Sequence, residues 1–209
     1  MTIKATSALS ILVIWATMIA AIVAQPGQWW TLIFAFLATG AVGVSAWRRL
    51  GMSRLIAMSG TWGGTALAVG YSEAGMTAIF AFLTTGAVVY SVMRRDALLI
   101  GAGVAAAWLV TGMVVAVNGE GGAWISVFAF LTAAALSNTR GNGARGLSAI
   151  LWWGIAGGVM LAADGGWSYT LCIAAFVLTS ASLGFGDFHF PRGLEWDLFE
   201  RDDDSQQMP

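Results

Sequence analysis

Charged side chains are scarce in this sequence. They make up 10% of its 209 residues, whereas a soluble domain carries about 25%. Hydrophobic residues make up 58%, and the mean hydropathy is +0.76. This composition excludes an ordinary soluble domain and predicts an all-α, polytopic transmembrane helical bundle.

Cysteine and histidine are nearly absent. Cys172 is the single cysteine and lies in an apolar run, so no disulfide framework exists. His189 is the single histidine, which argues against a histidine-cluster metal site. The net charge of −1 gives no basis for nucleic-acid binding. We therefore expect no metal, no cofactor and no nucleic-acid partner.

Ionisable residues are also missing from the apolar segments. Acidic, basic or histidine side chains inside a membrane mark proton relays, ion-coupled transport and voltage sensors. Nothing titratable accompanies Cys172 or the membrane threonines as a general base would. The sequence thus disfavours pumps, antiporters and voltage sensors, and we expect no enzymatic activity.

One apolar phrase recurs along the chain. It reads IFAFLATGA at Ile33–Ala41, IFAFLTTGA at Ile79–Ala87 and VFAFLTAAA at Val127–Ala135, and a degraded copy, AAFVLTSAS, occupies Ala174–Ser182. Before each copy lies another apolar segment with a central tryptophan. The pattern predicts a two-helix hairpin repeated four times, in parallel orientation.

Eight helices follow from this pattern. The predicted spans are Leu9–Ala24, Trp29–Trp47, Leu55–Gly70, Gly75–Met93, Ala97–Val117, Ala123–Ser137, Gly146–Ala163 and Trp167–Phe185. The bundle then covers residues 1–186, with repeats at about 8–50, 54–95, 97–140 and 145–186. Leu9–Ala24 imitates a signal peptide, but we expect it to be retained because its loss would leave its partner helix unpaired. The four repeats are compatible with a ring, a linear row or a two-by-two arrangement.

The basic residues all fall on one side of this eight-helix arrangement. They are Lys4, Arg48, Arg49, Arg54, Arg94, Arg95, Arg140, Arg145, Arg192 and Arg201. Because lysine and arginine accumulate in cytoplasmic loops, the sequence predicts cytoplasmic termini in a bacterial-type cytoplasmic membrane.

The repeated phrase has two interpretations. Ala35, Thr39 and Gly43 lie on one helix face, as do Ala81 and Thr85, and small residues let membrane helices pack closely. We favour this packing role. The alternative is a cavity lined by one threonine per repeat: Thr39, Thr85, Thr132 and Thr179.

Each preceding helix carries a tryptophan near its middle, although tryptophan usually prefers the membrane interface. The four are Trp15, Trp62, Trp108 and Trp153. A buried indole N–H needs an acceptor, for which Thr17, Thr65, Thr111 or a helix carbonyl is a candidate. We favour space-filling tryptophans; the alternative is contact with a ligand in a cavity.

The turns on the side opposite the basic residues combine glycine with an acid or amide. Glu73, Glu120 and Asp164 are the acids of these turns. We interpret them as turn residues, and the alternative is an acidic outer vestibule that concentrates cations.

Residues 187–209 form an acidic tail that breaks the repeat pattern. Leu194, Leu198 and Phe199 are a short apolar face within it. An acidic stretch is unsuited to an anionic membrane surface, so the tail is expected to dock on a protein partner or on the chain itself. We favour the latter, through the arginines at 48, 49, 94, 95 and 140.

Two functions are consistent with these features. The favoured one is a non-catalytic integral membrane protein, either an accessory or assembly subunit or a holder of apolar molecules. The alternative is a passive channel or facilitator for a small solute, which would pass along an axis between the repeats.

Overall fold

A computed structural model describes residues 3–44, 51–91, 97–138, 143–162 and 168–182. Within these residues the protein consists of eight α-helices and has no strands. The helices are α1 (Ile3–Ala24), α2 (Leu32–Val44), α3 (Met52–Ser72), α4 (Thr77–Tyr90), α5 (Leu98–Asn118), α6 (Ser126–Ser137), α7 (Ala144–Ala162) and α8 (Ser168–Ser182). The predicted number and order of helices are confirmed.

Helices α2, α4 and α6 begin later than the hydropathy pattern predicts, and a 3-10 helix precedes two of them. Pro26–Thr31 and Glu120–Ile125 form short 3-10 helices that lead directly into α2 and α6. Pro26 occupies the first turn of its segment, where the missing N–H of proline has no helical partner to lose. The α-helical parts of these two segments are therefore short.

The helices are arranged in two layers. The first layer is a row in the order α1, α3, α5, α7, and the second layer is a row in the order α2, α4, α6, α8. Each second-layer helix also packs against the first-layer helix that precedes it in the chain. Among the described residues, α1 and α7 lie at opposite ends of the row, so the arrangement is linear rather than a closed ring.

Glycine contacts show that the first-layer helices run in the same direction. Near the start of α5, Gly101 lies against Ser53 of α3, and further along Gly112 lies against Gly64. A Cβ on Gly64 would overlap the backbone carbonyl of Trp108. Backbones that approach this closely are typical of helices that pack through small residues.

Large apolar side chains are exposed on the outside of the molecule as well as buried within it. Phe36, for example, is 67% exposed, whereas Trp62 is fully buried. Hydroxyl side chains are also buried in the core, among them Thr61, Thr65 and Thr85. Threonine is mostly exposed in soluble proteins, so this burial of hydroxyl groups is unusual for one.

Three described segments are long and apolar enough to cross a membrane: Ala5–Ala24, Pro26–Val44 and Leu98–Asn118. Three more are apolar but shorter: Thr77–Tyr90, Gly122–Ser137 and Tyr169–Ser182. Helix α3 is long enough, but its glycines, hydroxyl residues and Arg54 make it less apolar.

The glycines of the repeated phrase are not where the second layer packs. In α2 the buried residues are Ala35, Ala38 and Val42. A Cβ placed on Gly40 or Gly43 would meet no other atom. The expected packing stripe through Gly43 is therefore wrong, because the buried face of α2 is rotated towards Val42.

Candidate functional site: the tryptophan–threonine layer

Three of the four central tryptophans are fully buried in the core. Trp62, Trp108 and Trp153 are fully buried, and Trp15, at the end of the row, is half-buried. Each belongs to a first-layer helix. We call these four residues, with the matched positions of the second layer, the tryptophan–threonine layer.

In the first two repeats the indole is bonded to the second layer. Trp15 donates from Nε1 to Thr39 Oγ1 at 3.0 Å, and Trp62 donates to Thr85 Oγ1 at the same distance. Each threonine hydroxyl then donates to its own helix, at 2.9 Å from the carbonyl oxygen of Ala35 or Ala81. The indole, the hydroxyl and the carbonyl thus form a chain of hydrogen bonds that joins two helices.

The expected acceptors on the same helix as the tryptophan are wrong for these two residues. Thr17 donates to the carbonyl of Val13 at 2.8 Å, and Thr65 donates to that of Thr61 at 2.8 Å. Both hydroxyls bond within their own helix. The acceptors are instead Thr39 and Thr85, which lie on the second helix of each repeat, about one turn after Phe36 and Phe82.

The third repeat lacks the acceptor. Counted from Phe36, Phe82 and Phe130, the position of Thr39 and Thr85 is Ala133. Ala133 is fully buried, and Trp108 Nε1 has no hydrogen-bond partner among the described residues. Thr132 lies one residue earlier, is buried, and donates to the carbonyl of Phe128 at 2.8 Å.

The fourth repeat has the acceptor but not the bond. Thr179 occupies the matched position and is fully buried. Among the described residues, neither Trp153 Nε1 nor Thr179 Oγ1 has a hydrogen-bond partner. Thr111, the third acceptor considered from the sequence, is likewise buried without a partner there. The two halves of the molecule therefore differ in how the indoles are satisfied.

The outer acids are placed differently from one another. Glu73 is exposed and has φ 58° and ψ 17°, a left-handed conformation that ends α3. Gly119, which follows α5, also has a positive φ of 78°, but its ψ of −168° places it in an extended region that only glycine adopts readily. Glu120 begins the next 3-10 helix. Asp164 lies outside the described residues, as do the tail and the arginines at 48, 49, 94, 95 and 140.

Arg54 is a feature that hydropathy did not reveal. It lies in the first turn of α3 and is only 9% exposed. Its Nε donates to the carbonyl of Val88 at 3.0 Å, and its Nη2 donates to that of Ser91 at 2.9 Å. A cation bonded to the last carbonyls of α4 also opposes the negative end of that helix dipole. Because Arg54 immediately precedes the predicted span Leu55–Gly70, hydropathy could not distinguish it from the basic residues of the loops.

Among the described residues, no group of three histidine, cysteine or acidic side chains is close enough to hold a metal ion. No family model, curated protein or solved structure matches the chain.

Proposed function

We propose that the chain is an integral membrane protein that crosses the bilayer eight times, as four parallel hairpin repeats with cytoplasmic termini. The exposure of large apolar side chains, together with the burial of hydroxyl groups, supports this. Phe36, Leu12 and Leu151 present apolar surface outward, whereas the hydroxyls of Thr61 and Thr85 lie inside. Water would disfavour such a surface, but lipid accepts it at no cost.

Within the membrane, we propose a non-catalytic role as an accessory or assembly subunit or as a holder of apolar molecules. The observation that carries it is the close backbone contact between α3 and α5. Gly64 and Gly112 face each other across this contact, where an added Cβ on either would overlap backbone. A chain packed in this way offers its outer apolar faces as its principal surface for binding.

The alternative, a passive channel for a small solute, receives less support. Such a path would run along an axis enclosed by the repeats. The first layer is instead a row, and the core contains the fully buried rings of Trp62, Trp108 and Trp153. A row of directly packed helices favours the structural role.

Cysteine labelling tests the membrane topology. With Cys172 replaced by alanine, single cysteines at positions 50 and 73 are to be exposed to a membrane-impermeant maleimide in intact cells. Eight crossings put position 73 outside and position 50 inside, so only the former should react. Reaction of both or neither before lysis would contradict the topology.

Extraction in a mild detergent tests the role. Mass spectrometry of the purified protein should show a protein partner, a lipid or a pigment in stoichiometric amount. Parallel flux measurements in proteoliposomes, with small solutes of different charge, should equal those of empty vesicles. A protein free of any bound molecule that conducts a solute would overturn the proposal and favour the channel.

A further inference from the structure

Helices α3 and α5 each pack against the preceding first-layer helix on one face and against the following first-layer helix on another. Gly64 lies two residues after Trp62 and contacts α5, and Val110 lies two residues after Trp108 and contacts Gly157 of α7. The matched residue in α7 is Ile155, two residues after Trp153. Within the part of the chain that the structure describes, no further first-layer helix follows α7, and Ile155 is 48% exposed.

This exposed face of α7 contains a pair of glycines. A Cβ on Gly154 or Gly158 would meet no other atom within 4 Å, whereas every other glycine of α3, α5 and α7 has a neighbour on another helix within that distance. Leu151, which is 55% exposed, lies on the same face as Ile155 and the two glycines. We call Leu151, Gly154, Ile155, Gly158 and Val159 the α7 seam.

The α7 seam has the form through which membrane helices associate. Two glycines four residues apart let helix backbones approach, and the branched side chains of Ile155 and Val159 stand beside them as rigid ridges. Elsewhere in the first layer, glycines of this kind meet a parallel helix, as Gly60 meets Ala105. Gly40, Gly43 and Gly86 in the second layer are open too, but no two of them are four residues apart.

From this continuity of the first layer, we infer that the α7 seam binds the α7 seam of a second copy of this chain, as a parallel two-fold dimer. In two copies inserted with the same topology, the two α7 helices run in the same direction. They are then parallel, like neighbouring first-layer helices within one chain. In this dimer each copy contributes Gly154 and Gly158 to the interface, and the two-fold axis lies along the membrane normal. The inference rests on the proposed membrane location.

A head-to-tail arrangement is less well matched. The exposed face of α1, at the other end of the row, carries Leu12, Ile19 and Val23. The small residues on this face, Ala16, Ala20 and Ala24, are alanines, and no glycine occurs in α1. Because each alanine keeps a Cβ, the backbone of α1 approaches a partner less closely than the paired glycines of the α7 seam allow.

Disulfide cross-linking in native membranes tests the dimer. In the full chain with Cys172→Ala, we expect oxidation to cross-link Ile155→Cys or Leu151→Cys into dimers. Leu12→Cys and Val23→Cys, which are equally apolar and exposed on α1, should yield at least tenfold less. Equal yields at both ends, or mixed α1–α7 cross-links, would overturn the two-fold arrangement.

A second measurement is the mass of the protein in nanodiscs, with Cys172 retained, because the mass distinguishes a dimer from a monomer. We expect Gly154→Ile with Gly158→Ile to convert a dimer into a monomer with unchanged helical content. The matched control, Gly40→Ile with Gly43→Ile, should remain a dimer. A native protein that is monomeric in nanodiscs, with the seam covered by lipid only, would overturn the inference and leave the membrane location intact. Recovery of the native chain in the water-soluble fraction would instead overturn the proposed function.

Discussion

The indole of Trp62 donates to the hydroxyl of Thr85 at 3.0 Å, and both side chains are fully buried. The hydroxyl in turn donates to the carbonyl of Ala81 at 2.9 Å. A tryptophan in the first layer is thus tied to the backbone of the second through one side chain. Since an indole N–H can only donate, its bond depends wholly on the threonine oxygen.

Thr85→Val should destabilise the protein by about 1–2 kcal/mol, because valine keeps the volume but leaves Trp62 Nε1 buried without an acceptor. Thr132→Val is the matched control. The hydroxyl of Thr132 donates to the carbonyl of Phe128 and accepts from no indole. Its removal therefore leaves no indole without an acceptor, and the loss of unfolding free energy should be clearly smaller. Unfolding in mixed micelles, followed by tryptophan fluorescence, measures both. Equal losses would show that the bond to Trp62 contributes nothing.

Ala133→Thr should restore in the third repeat the bond that the first two repeats have. Because position 133 matches Thr39 and Thr85 in the repeat, we expect the added hydroxyl to accept from Trp108 Nε1, a buried donor without a partner among the described residues. Ala133→Val adds the same volume without the oxygen. Whatever the extra volume costs at this buried site, the threonine variant should exceed the valine variant in unfolding free energy by about 1 kcal/mol. A difference of zero, or a more stable valine variant, would show that Trp108 does not face position 133.

The number and order of the helices were predictable because apolar segments alternate with short basic or glycine-rich turns along the chain. The partner of Trp62 was not, because it depends on how α4 is rotated against α3, which hydropathy does not encode. Ring and row were equally compatible with repeats that run in one direction. The row became evident only from which helices pack against each other, α1 with α3, α3 with α5, and α5 with α7. Burial of Arg54 was missed because a basic residue next to a turn gives the same sequence signal whether it is solvated or caps a helix.

Arg54→Met should destabilise the protein by about 2 kcal/mol. Methionine has a similar length but cannot donate to the carbonyls of Val88 and Ser91 at the end of α4. Arg54→Lys keeps the charge and reaches with a single ammonium group, so it should lose about half as much. Hydrogen exchange should show the last turn of α4 opening first in the methionine variant. Unchanged protection there would contradict the capping role.

Gly64→Ala should disrupt the contact between α3 and α5, because its Cβ would overlap the carbonyl of Trp108. Backbone cannot yield as a flexible side chain does, so we expect a loss of about 2 kcal/mol or more. Gly63→Ala is the adjacent control. Its Cβ would lie 3.6 Å from Leu109 Cδ2, an ordinary contact, and alanine favours helix by about 0.8–1 kcal/mol. The neighbouring substitutions should therefore have opposite signs in the same unfolding experiment. A stable Gly64→Ala protein would mean that the two helices are further apart.

Glu73→Gly should stabilise the protein by about 1 kcal/mol. Glu73 ends α3 at φ 58°, where a side chain is strained and glycine is not. Glu73→Ala removes the same charge but keeps the Cβ, so it separates the backbone effect from the electrostatic one and should bring little gain. In proteoliposomes, both variants should leave cation permeability unchanged if Glu73 serves the turn. Should both variants lower cation flux equally while stability stays constant, the side chain would belong to an acidic vestibule and the conformation of the turn would be incidental.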